Sequence, residues 1–240
     1  MLSKSHFKLI QNLRSKKQRI KNGLFIAEGE KIIQEVLASN VKVKTIFSTD
    51  GHLFENNQLY PDQLVEIDEL TLKEISSLIS PSKALGIFEI PKIAFDTSII
   101  ELCLDEIQDP GNLGTIIRIA DWYGITKIHC NKGTVDLYNP KVIQASMGSF
   151  MRVQVNYLDD LADFLSNQNK PIFGAFMDGE NLHELSIPKE ALIVIGNEGN
   201  GISSEVEQHC SHKITIPRFG EAESLNAGIA TAIILDNFIR

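Results

Sequence analysis

Cysteine is scarce in this 240-residue sequence, and the three that occur are not spaced to bind a metal or to form a redox pair. Cys103, Cys130 and Cys210 lie far apart and no CxxC motif is present, so we expect buried, reduced thiols and no metal site. Apolar runs of about 18 residues, the length needed to cross a bilayer, are also absent. The first residues carry no apolar signal region, and we therefore expect a cytoplasmic protein.

Acidic residues are missing from the first 27 positions, which contain seven lysines and arginines. The whole chain has a net charge of −8, so the remainder carries −15 (−8 minus 7). A basic end on an acidic body fits local contact with nucleic-acid phosphates, although a solvated helix without a partner explains the same run. The predicted phosphate-binding residues are Lys4, Arg14, Lys16, Lys17, Arg19 and Lys21.

Hydrophobic periodicity predicts a small α/β domain over residues 1–92, a linker over 93–98 and a larger domain over 99–240. In the first domain the predicted helices are 4–20, 30–39 and 69–79, and the predicted strands are 42–47, 64–67 and 85–90. In the second, short apolar runs alternate with helical segments, which predicts a parallel sheet covered by helices on both faces. Its predicted strands are 99–104, 126–129, 152–155, 171–176, 191–195 and 213–216, and its predicted helices are 112–123, 140–149, 157–167, 203–210 and 224–239.

Three polar loops rich in Gly, Asn or charged residues, at 108–118, 196–202 and 216–226, each follow a predicted strand. The glycines of the second loop read G-x-x-G-x-G. This loop is therefore neither the G-x-G-x-x-G of dinucleotide-binding folds nor a P-loop, which would need Gly-Lys-Ser/Thr. Because open α/β sheets bind ligands at their strand ends, the three loops are the candidate site.

Single residues in these loops have structural as well as functional explanations. Asn112 and Ser224 are predicted N-caps of the helices that follow them. Arg118 lies at the edge of its helix's apolar stripe, where it meets a ligand or pairs with Asp121 at i,i+3. Glu198 has three explanations: a ligand anchor, a partner for an arginine, or a turn.

In this order, the loops resemble the signature motifs of the SpoU-like (TrmH-type) RNA 2′-O-ribose methyltransferases of the SPOUT superfamily. The three motifs are Asp109-Pro-Gly-Asn-Leu-Gly-Thr-Ile-Ile-Arg118, Gly196-Asn-Glu-Gly-Asn-Gly-Ile202, and Ile216-Pro followed by Ser224-Leu-Asn226. The resemblance covers about residues 100–240. The amino end, with Phe25-Ile-Ala-Glu-Gly-Glu30, resembles the L30e-like substrate-binding domain that precedes many members.

The resemblance implies a sheet whose carboxyl end forms a trefoil knot, a homodimer through the carboxyl-terminal domain, and S-adenosylmethionine held by the knotted loops. By motif position, the implied cofactor-binding residues are Gly196, Asn197, Gly201, Ile216 and Leu225. The implied catalytic residues are Asn112, Arg118, Glu198, Ser224 and Asn226. The sequence departs from the family at Gln144, where many members have Arg, and in the charged stretch 218–223.

The implied reaction is attack of a ribose 2′-hydroxyl on the sulfonium methyl group. The family proposal makes Arg118 the base. Because arginine is not expected to lose its proton in proteins, the alternative is that Arg118 binds a phosphate while Glu198 or water accepts the proton.

The expected substrate is structured RNA, with 23S rRNA preferred over tRNA by analogy. A second hypothesis is an inactive RNA-binding or ribosome-assembly factor on the same fold, against which the intact Asn112, Arg118, Glu198 and Asn226 argue. A third is a dinucleotide-dependent dehydrogenase, which the absence of G-x-G-x-x-G disfavours.

Overall fold

The computed structural model describes residues 2–39, 41–92 and 99–240, so the predicted linker 93–98 lies outside the described residues. The described residues divide into two compact units. The amino-terminal unit contains residues 2–92 with Asp136–Met151, and the carboxyl-terminal unit contains residues 99–135 with Arg152–Arg240. The division into 1–92 and 99–240 follows the linear sequence and stays a prediction.

The amino-terminal unit is built on a four-stranded mixed sheet. Its elements are α1 (Lys4–Leu13), α2 (Lys16–Asn22), β1 (Leu24–Glu28), α3 (Glu30–Ala38), β2 (Val43–Ser48), β3 (Leu64–Glu66), α4 (Glu69–Ile75), β4 (Ala84–Glu89) and, from later in the chain, α6 (Pro140–Ser146), with 3₁₀ turns at Gly51–Phe54 and Ser149–Met151. The strand order is β1-β4-β2-β3, with β4 antiparallel to both neighbours and β3 parallel to β2.

The strand β1 is absent from the sequence prediction. All five of its residues are buried, so they show none of the apolar–polar alternation that identifies a half-exposed strand. Residues 24–28 also come directly before a predicted helix, so no periodic pattern identified them as a strand.

The helix predicted over 4–20 is two helices, because the chain turns at Ser15. Ser15 has extended backbone angles, φ −91° and ψ 131°. The Arg19 guanidinium donates to the carbonyl oxygens of Leu13 and Arg14, each at 2.8 Å. Carbonyls at a helix end lack partners within the helix, so Arg19 satisfies the end of α1 and holds the turn in place.

Helix α6 belongs to the amino-terminal unit and packs against β1. The side-chain oxygen of Asn139 accepts the N–H of Lys141 at 3.0 Å and caps the helix. The ring of Phe25, on β1, lies 5.0 Å from that of Tyr138 and 5.8 Å from that of Phe150, between centroids. The segment Asp136–Met151 therefore completes the core beside β1.

The carboxyl-terminal unit contains six parallel strands flanked by helices, which confirms the predicted parallel α/β sheet. Its elements are β5 (Ile100–Leu104), α5 (Pro110–Trp122), β6 (Lys127–Cys130), β7 (Gln154–Tyr157), α7 (Leu161–Ser166), β8 (Ile172–Asn181), β9 (Ala191–Ile195), α8 (Ser204–Glu207), β10 (His212–Thr215) and α9 (Ala227–Ile239), with a 3₁₀ turn at Leu182–Glu184. The strand order is β10-β8-β9-β5-β6-β7. Among the described helices, none combines the length and apolarity that a membrane crossing requires.

The register of the sheet places the loops of the candidate site beside one another. Leu104 pairs with Ile195, so β5 and β9 end at the same edge. Helices α5 and α9 pack closely, and a Cβ at Gly228 would lie only 2.9 Å from Cγ2 of Thr115. Gly228 therefore allows the first turns of α5 and α9 to approach each other.

The three cysteines are free thiols. Burial raises the pKa of Cys103 and Cys130, and it raises that of the partly exposed Cys210 to about 11. Within the part of the chain that the structure describes, no group of His, Cys, Asp and Glu side chains could hold a metal ion.

Candidate active site

Helix α5 begins earlier than predicted, and its N-cap is Asp109. The Asp109 Oδ1 accepts the backbone N–H of Asn112 at 2.8 Å, and Pro110 occupies the first helical turn, where its missing N–H costs nothing. The prediction that Asn112 caps the helix is therefore wrong. Its side chain is released from capping and is buried at the edge of the sheet.

Asn112 connects the three loops. Its Nδ2 donates to Oε1 of Glu198, 86 positions away in the sequence. Its Oδ1 accepts from Nδ2 of Asn226 at 2.6 Å, across 114 positions. One carboxamide from the first loop is thus held between a carboxylate from the second and a carboxamide from the third.

Asn226, rather than the predicted Ser224, is the N-cap of α9. Its Oδ1 accepts the N–H groups of Gly228 at 2.9 Å and Ile229 at 3.3 Å. This capping fixes the rotamer of Asn226 and leaves its Nδ2 to meet Asn112. Ser224 is exposed two residues before the cap, and the structure does not bring its hydroxyl into this cluster.

The glycine loop after β9 folds on itself. Asn197 and Gly201 exchange two backbone hydrogen bonds, both 2.9 Å, and the Asn197 Oδ1 accepts the N–H groups of Gly199 and Asn200. At Gly196 a Cβ would lie 2.3 Å from the carbonyl carbon of Gly201, so only glycine fits there. The loop presents Glu198 at its exposed turn.

Polar residues that follow β5 and β6 support this loop, and sequence analysis missed them. Asp105 is 1% exposed and accepts from the N–H and the hydroxyl of Ser203, each at 2.7 Å. Asn131 donates to Asp105 at 2.6 Å. The available signal was position, because both residues stand directly after a buried strand at the edge where ligands bind.

Arg118 lies on the exposed side of α5. Its predicted i,i+3 partner, Asp121, pairs instead with Arg152, at 2.9 Å. Among residues 2–39, 41–92 and 99–240, no hydrogen bond or ion pair reaches the side chain of Arg118. Its guanidinium, with five donors in a fixed plane, is available to an anionic ligand.

Three residues predicted to bind the cofactor have backbone groups without partners among the described residues. Within the described residues, the backbone groups of Gly196, Ile216 and Leu225 make no hydrogen bond to the protein. Gly196 and Ile216 are half-buried, where peptide groups normally find a partner, whereas Leu225 is exposed. The unpaired peptide groups of Gly196 and Ile216 fit a polar ligand bound beside the strand ends.

The predicted phosphate-binding residues of the amino-terminal unit fall into two groups. Lys4, Lys16, Lys17 and Lys21 are exposed. Arg14 is exposed but also donates to the carbonyl of Ser76 at 3.1 Å. Arg19 departs from the prediction: it is 3% exposed and pairs with Asp136 at 2.6 Å. Four of the five N–H donors of its guanidinium are used by protein groups, so Arg19 has a structural role.

A second buried polar cluster lies within the same sheet. His129 donates to Glu101 at 2.7 Å and Lys170 donates to it at 3.0 Å. Burial opposes ionisation of Glu101, but these two hydrogen bonds outweigh burial and lower the pKa of the carboxyl to about 2. Glu101 stands near the start of β5, whereas the candidate site stands at its end.

Two family models match this chain. The SpoU rRNA Methylase family matches residues 100–236, and the MRM3-like substrate binding domain matches residues 4–86. The Bacillus subtilis 23S rRNA (guanosine(2553)-2′-O)-methyltransferase RlmP is 29% identical over 228 residues, which cover 94% of this chain and 92% of RlmP.

Two solved structures share the fold over nearly the whole chain. A protein of the TrmH family of RNA methyltransferases from Porphyromonas gingivalis has a TM-score of 0.89 at 36% identity, covering 99% of this chain and 98% of its own. An rRNA methyltransferase from Sinorhizobium meliloti, solved with AdoMet bound, has a TM-score of 0.86 at 27% identity, covering 99% and 96%.

Proposed function

The chain belongs to the SpoU rRNA Methylase family and is an S-adenosylmethionine-dependent RNA 2′-O-methyltransferase, and from that premise we propose that its substrate is a guanosine of 23S rRNA. RlmP, named for that substrate, supports the choice because it matches both units of this chain. The match of residues 4–86 to a substrate-binding domain supports it as well.

The observation that carries the proposal is the contact of Asn112 with both Glu198 and Asn226. Contacts between three loops so far apart in sequence form only if the strand ends assemble one site. Holding reacting groups in place contributes on the order of 7 to 11 kcal/mol to catalysis in favourable cases. A rigid cluster of one carboxylate and two carboxamides is suited to orient a sugar hydroxyl.

The residues present fit S-adenosylmethionine. We assign the peptide groups of Gly196, Ile216 and Leu225, which make no hydrogen bond within the described residues, to the adenine ring and its ribose. A Cβ at Gly196 would collide with the backbone of Gly201, so the loop keeps this shape only with glycine there. Asn197 and Gly201 contribute by fixing the loop through their paired backbone bonds. When bound, the cofactor supplies an electrophilic methyl group.

The 2′-hydroxyl must lose a proton as it is methylated. We assign proton acceptance to Glu198, whose second carboxylate oxygen is not used in the bond to Asn112. Arg118 binds a phosphate beside the target nucleotide, because a guanidinium stays protonated and suits bidentate contact with phosphate. Ser224, exposed between Leu225 and the charged loop, contacts the substrate rather than the protein.

The exposed lysines of α1 and α2 supply further phosphate contacts. We retain Lys4, Arg14, Lys16, Lys17 and Lys21 in this role and remove Arg19. A homodimer through the carboxyl-terminal unit, a trefoil knot there and a cytoplasmic location complete the proposal.

The test is to map ribose methylation in total RNA from cells with and without this protein. We expect one 23S rRNA guanosine to lose its 2′-O-methyl group in the deficient cells and to regain it when the purified protein is incubated with their rRNA and labelled S-adenosylmethionine. A lost methyl group in tRNA would redirect the substrate. No lost methyl group, together with no cofactor binding by calorimetry, would overturn the proposal.

A further inference from the structure

We propose that Asp105 is a positioning residue for methyl transfer, an inference that rests on the function proposed above. Asp105 touches none of the assigned catalytic side chains. Its buried carboxylate instead fixes both ends of the segment that carries Glu198, the glycine loop 196–203.

The first end is held directly. Oδ2 of Asp105 accepts the backbone N–H and the hydroxyl of Ser203, each at 2.7 Å. Ser203 is the last residue before α8, so these bonds fix the point at which the loop enters the helix. A carboxylate that accepts several hydrogen bonds in a buried position is held in one orientation.

The second end is held through a chain of contacts. Oδ1 of Asp105 accepts from Asn131 at 2.6 Å, and the Asn131 oxygen accepts the N–H of Glu106 at 3.0 Å. The carbonyl of Glu106 then accepts the side-chain N–H of Asn197 at 2.7 Å. Asn197 stands next to Glu198 and closes the loop with its own amide oxygen.

The backbone at Glu106 shows that this arrangement is enforced. Glu106 has a φ of +59°, in the left-handed region that non-glycine residues rarely occupy. Gly133 leaves room for its side chain, since a Cβ there would lie 2.8 Å from Cγ of Glu106. Such strain persists where the surroundings over-determine a conformation, and it concentrates at functional sites.

The pattern of donors and acceptors suggests a test by exchange. In Asp105→Asn the new amide oxygen still accepts from Ser203, but its NH2 group faces the NH2 group of Asn131. Turning Asn131 over would leave the N–H of Glu106 facing a donor. The double variant Asp105→Asn/Asn131→Asp restores every donor–acceptor pair, because the amide then donates to the carboxylate at 131, which accepts from Glu106.

The experiment measures kcat for rRNA methylation and amide hydrogen exchange of residues 197–203 in the wild type, the two single variants and the double variant. We expect Asp105→Asn to lower kcat by about 10- to 100-fold, the size of effect that a displacement of about 1 Å produces, and to speed exchange in the loop. The double variant regains most of the rate and the protection. In a Glu198→Gln background, adding Asp105→Asn should lower kcat little further than Glu198→Gln does alone.

Glu101→Gln is the matched control, since Glu101 is a buried acid on β5, the strand that Asp105 follows, and it pairs with His129 and Lys170. It should lower stability and leave kcat and loop exchange unchanged. Wild-type kcat and exchange in Asp105→Asn, or a double variant worse than either single one, would overturn the inference. If the wild type methylates no rRNA, the proposed function fails and the catalytic role of Asp105 fails with it, while loop exchange still decides whether Asp105 holds the glycine loop.

Discussion

The side-chain amide of Asn226 donates to the side-chain oxygen of Asn112 at 2.6 Å, so the first turns of α9 and α5 are joined by a hydrogen bond between two asparagines. Each has a further partner, Glu198 for Asn112 and the Gly228 N–H for Asn226. Since a carboxamide both donates and accepts, asparagine at both positions satisfies all of these contacts together.

Replacement of Asn112 by aspartate should abolish most of the activity. The new carboxylate would face Glu198 without a proton to donate, and like charges in contact repel. We expect kcat for rRNA methylation to fall on the order of 100-fold, with calorimetric affinity for S-adenosylmethionine little changed. Asn237→Ala, on the last turns of α9, is the control that should keep kcat.

Arg118→Lys distinguishes the two roles considered for the arginine. If Arg118 binds phosphate, lysine keeps the charge but loses the bidentate geometry, so the KM for RNA rises about tenfold or 1.4 kcal/mol and the shape of the pH–rate profile is unchanged. A new rise of kcat at alkaline pH would instead support the base role. Arg240→Lys, on a cation paired with Asp236, should change neither quantity.

Gly196→Ala should weaken cofactor binding. The added Cβ would lie 2.3 Å from the carbonyl carbon of Gly201 and 2.4 Å from the backbone nitrogen of Ile202, and backbone atoms cannot rotate away. The loop must therefore open, and we expect the Kd for S-adenosylmethionine to rise by about tenfold or more. Gly199→Ala in the same loop, where a Cβ meets only the Asn197 side-chain oxygen at 3.4 Å, should bind normally.

Glu101 should contribute to the free energy of unfolding at neutral pH, and this contribution should be lost in acid. Its pKa in the folded chain is lowered from 4.5 to about 2, against the cost of burial, by hydrogen bonds from His129 and Lys170. A lowered folded-state pKa stabilises the folded chain fully above about pH 4.5, and this contribution is lost as the pH falls toward 2. Urea unfolding should show Glu101→Gln less stable than the wild type at pH 7, with the difference shrinking below pH 4.5. An equal difference at pH 7 and pH 3 would contradict this assignment.

Arg19→Ala should lower stability, because it leaves Asp136 and the carbonyls of Leu13 and Arg14 without their donor. Removing one partner of a buried ion pair costs about 3–5 kcal/mol, measurable as a lower urea midpoint. Lys17→Ala provides the contrast, since Lys17 is exposed. It should unfold like the wild type, bind rRNA more weakly and show a smaller dependence of affinity on salt.

Local sequence patterns predicted the strands of the parallel sheet. Where some helices begin and end depends instead on contacts between residues distant in the sequence. The run Ala191–Ile195 is a strand with the predicted bounds, because five apolar residues bounded by polar ones have few alternatives. The end of α1 depends instead on Arg19, whose carboxylate partner is 117 positions away. Arg19 and Asp136 are too far apart in the sequence for any local pattern to include both of them.

The candidate site shows the same contrast. Asn112, Glu198 and Asn226 were recognised as a set through the order of their motifs, and the structure brings them into contact. The helix starts were misassigned because Asp109 and Asn226 are as suitable for capping as Asn112 and Ser224, and only geometry chooses between them. Asp105 was missed because burial of a carboxylate depends on donors from Asn131 and Ser203 that are distant in sequence.

The position of helix α6 in the sequence affects how the protein folds during its synthesis. The first unit needs Tyr138 and Phe150 beside Phe25, although β5 to β6 of the second unit are synthesised before them. The apolar surface around Phe25 therefore stays partly exposed on the nascent chain until residue 151 has left the ribosome. Synthesis of residues 2–92 and completion of the core that they form are therefore separated in time. A nascent fragment ending near residue 92 should bind chaperones more strongly than one ending past residue 151.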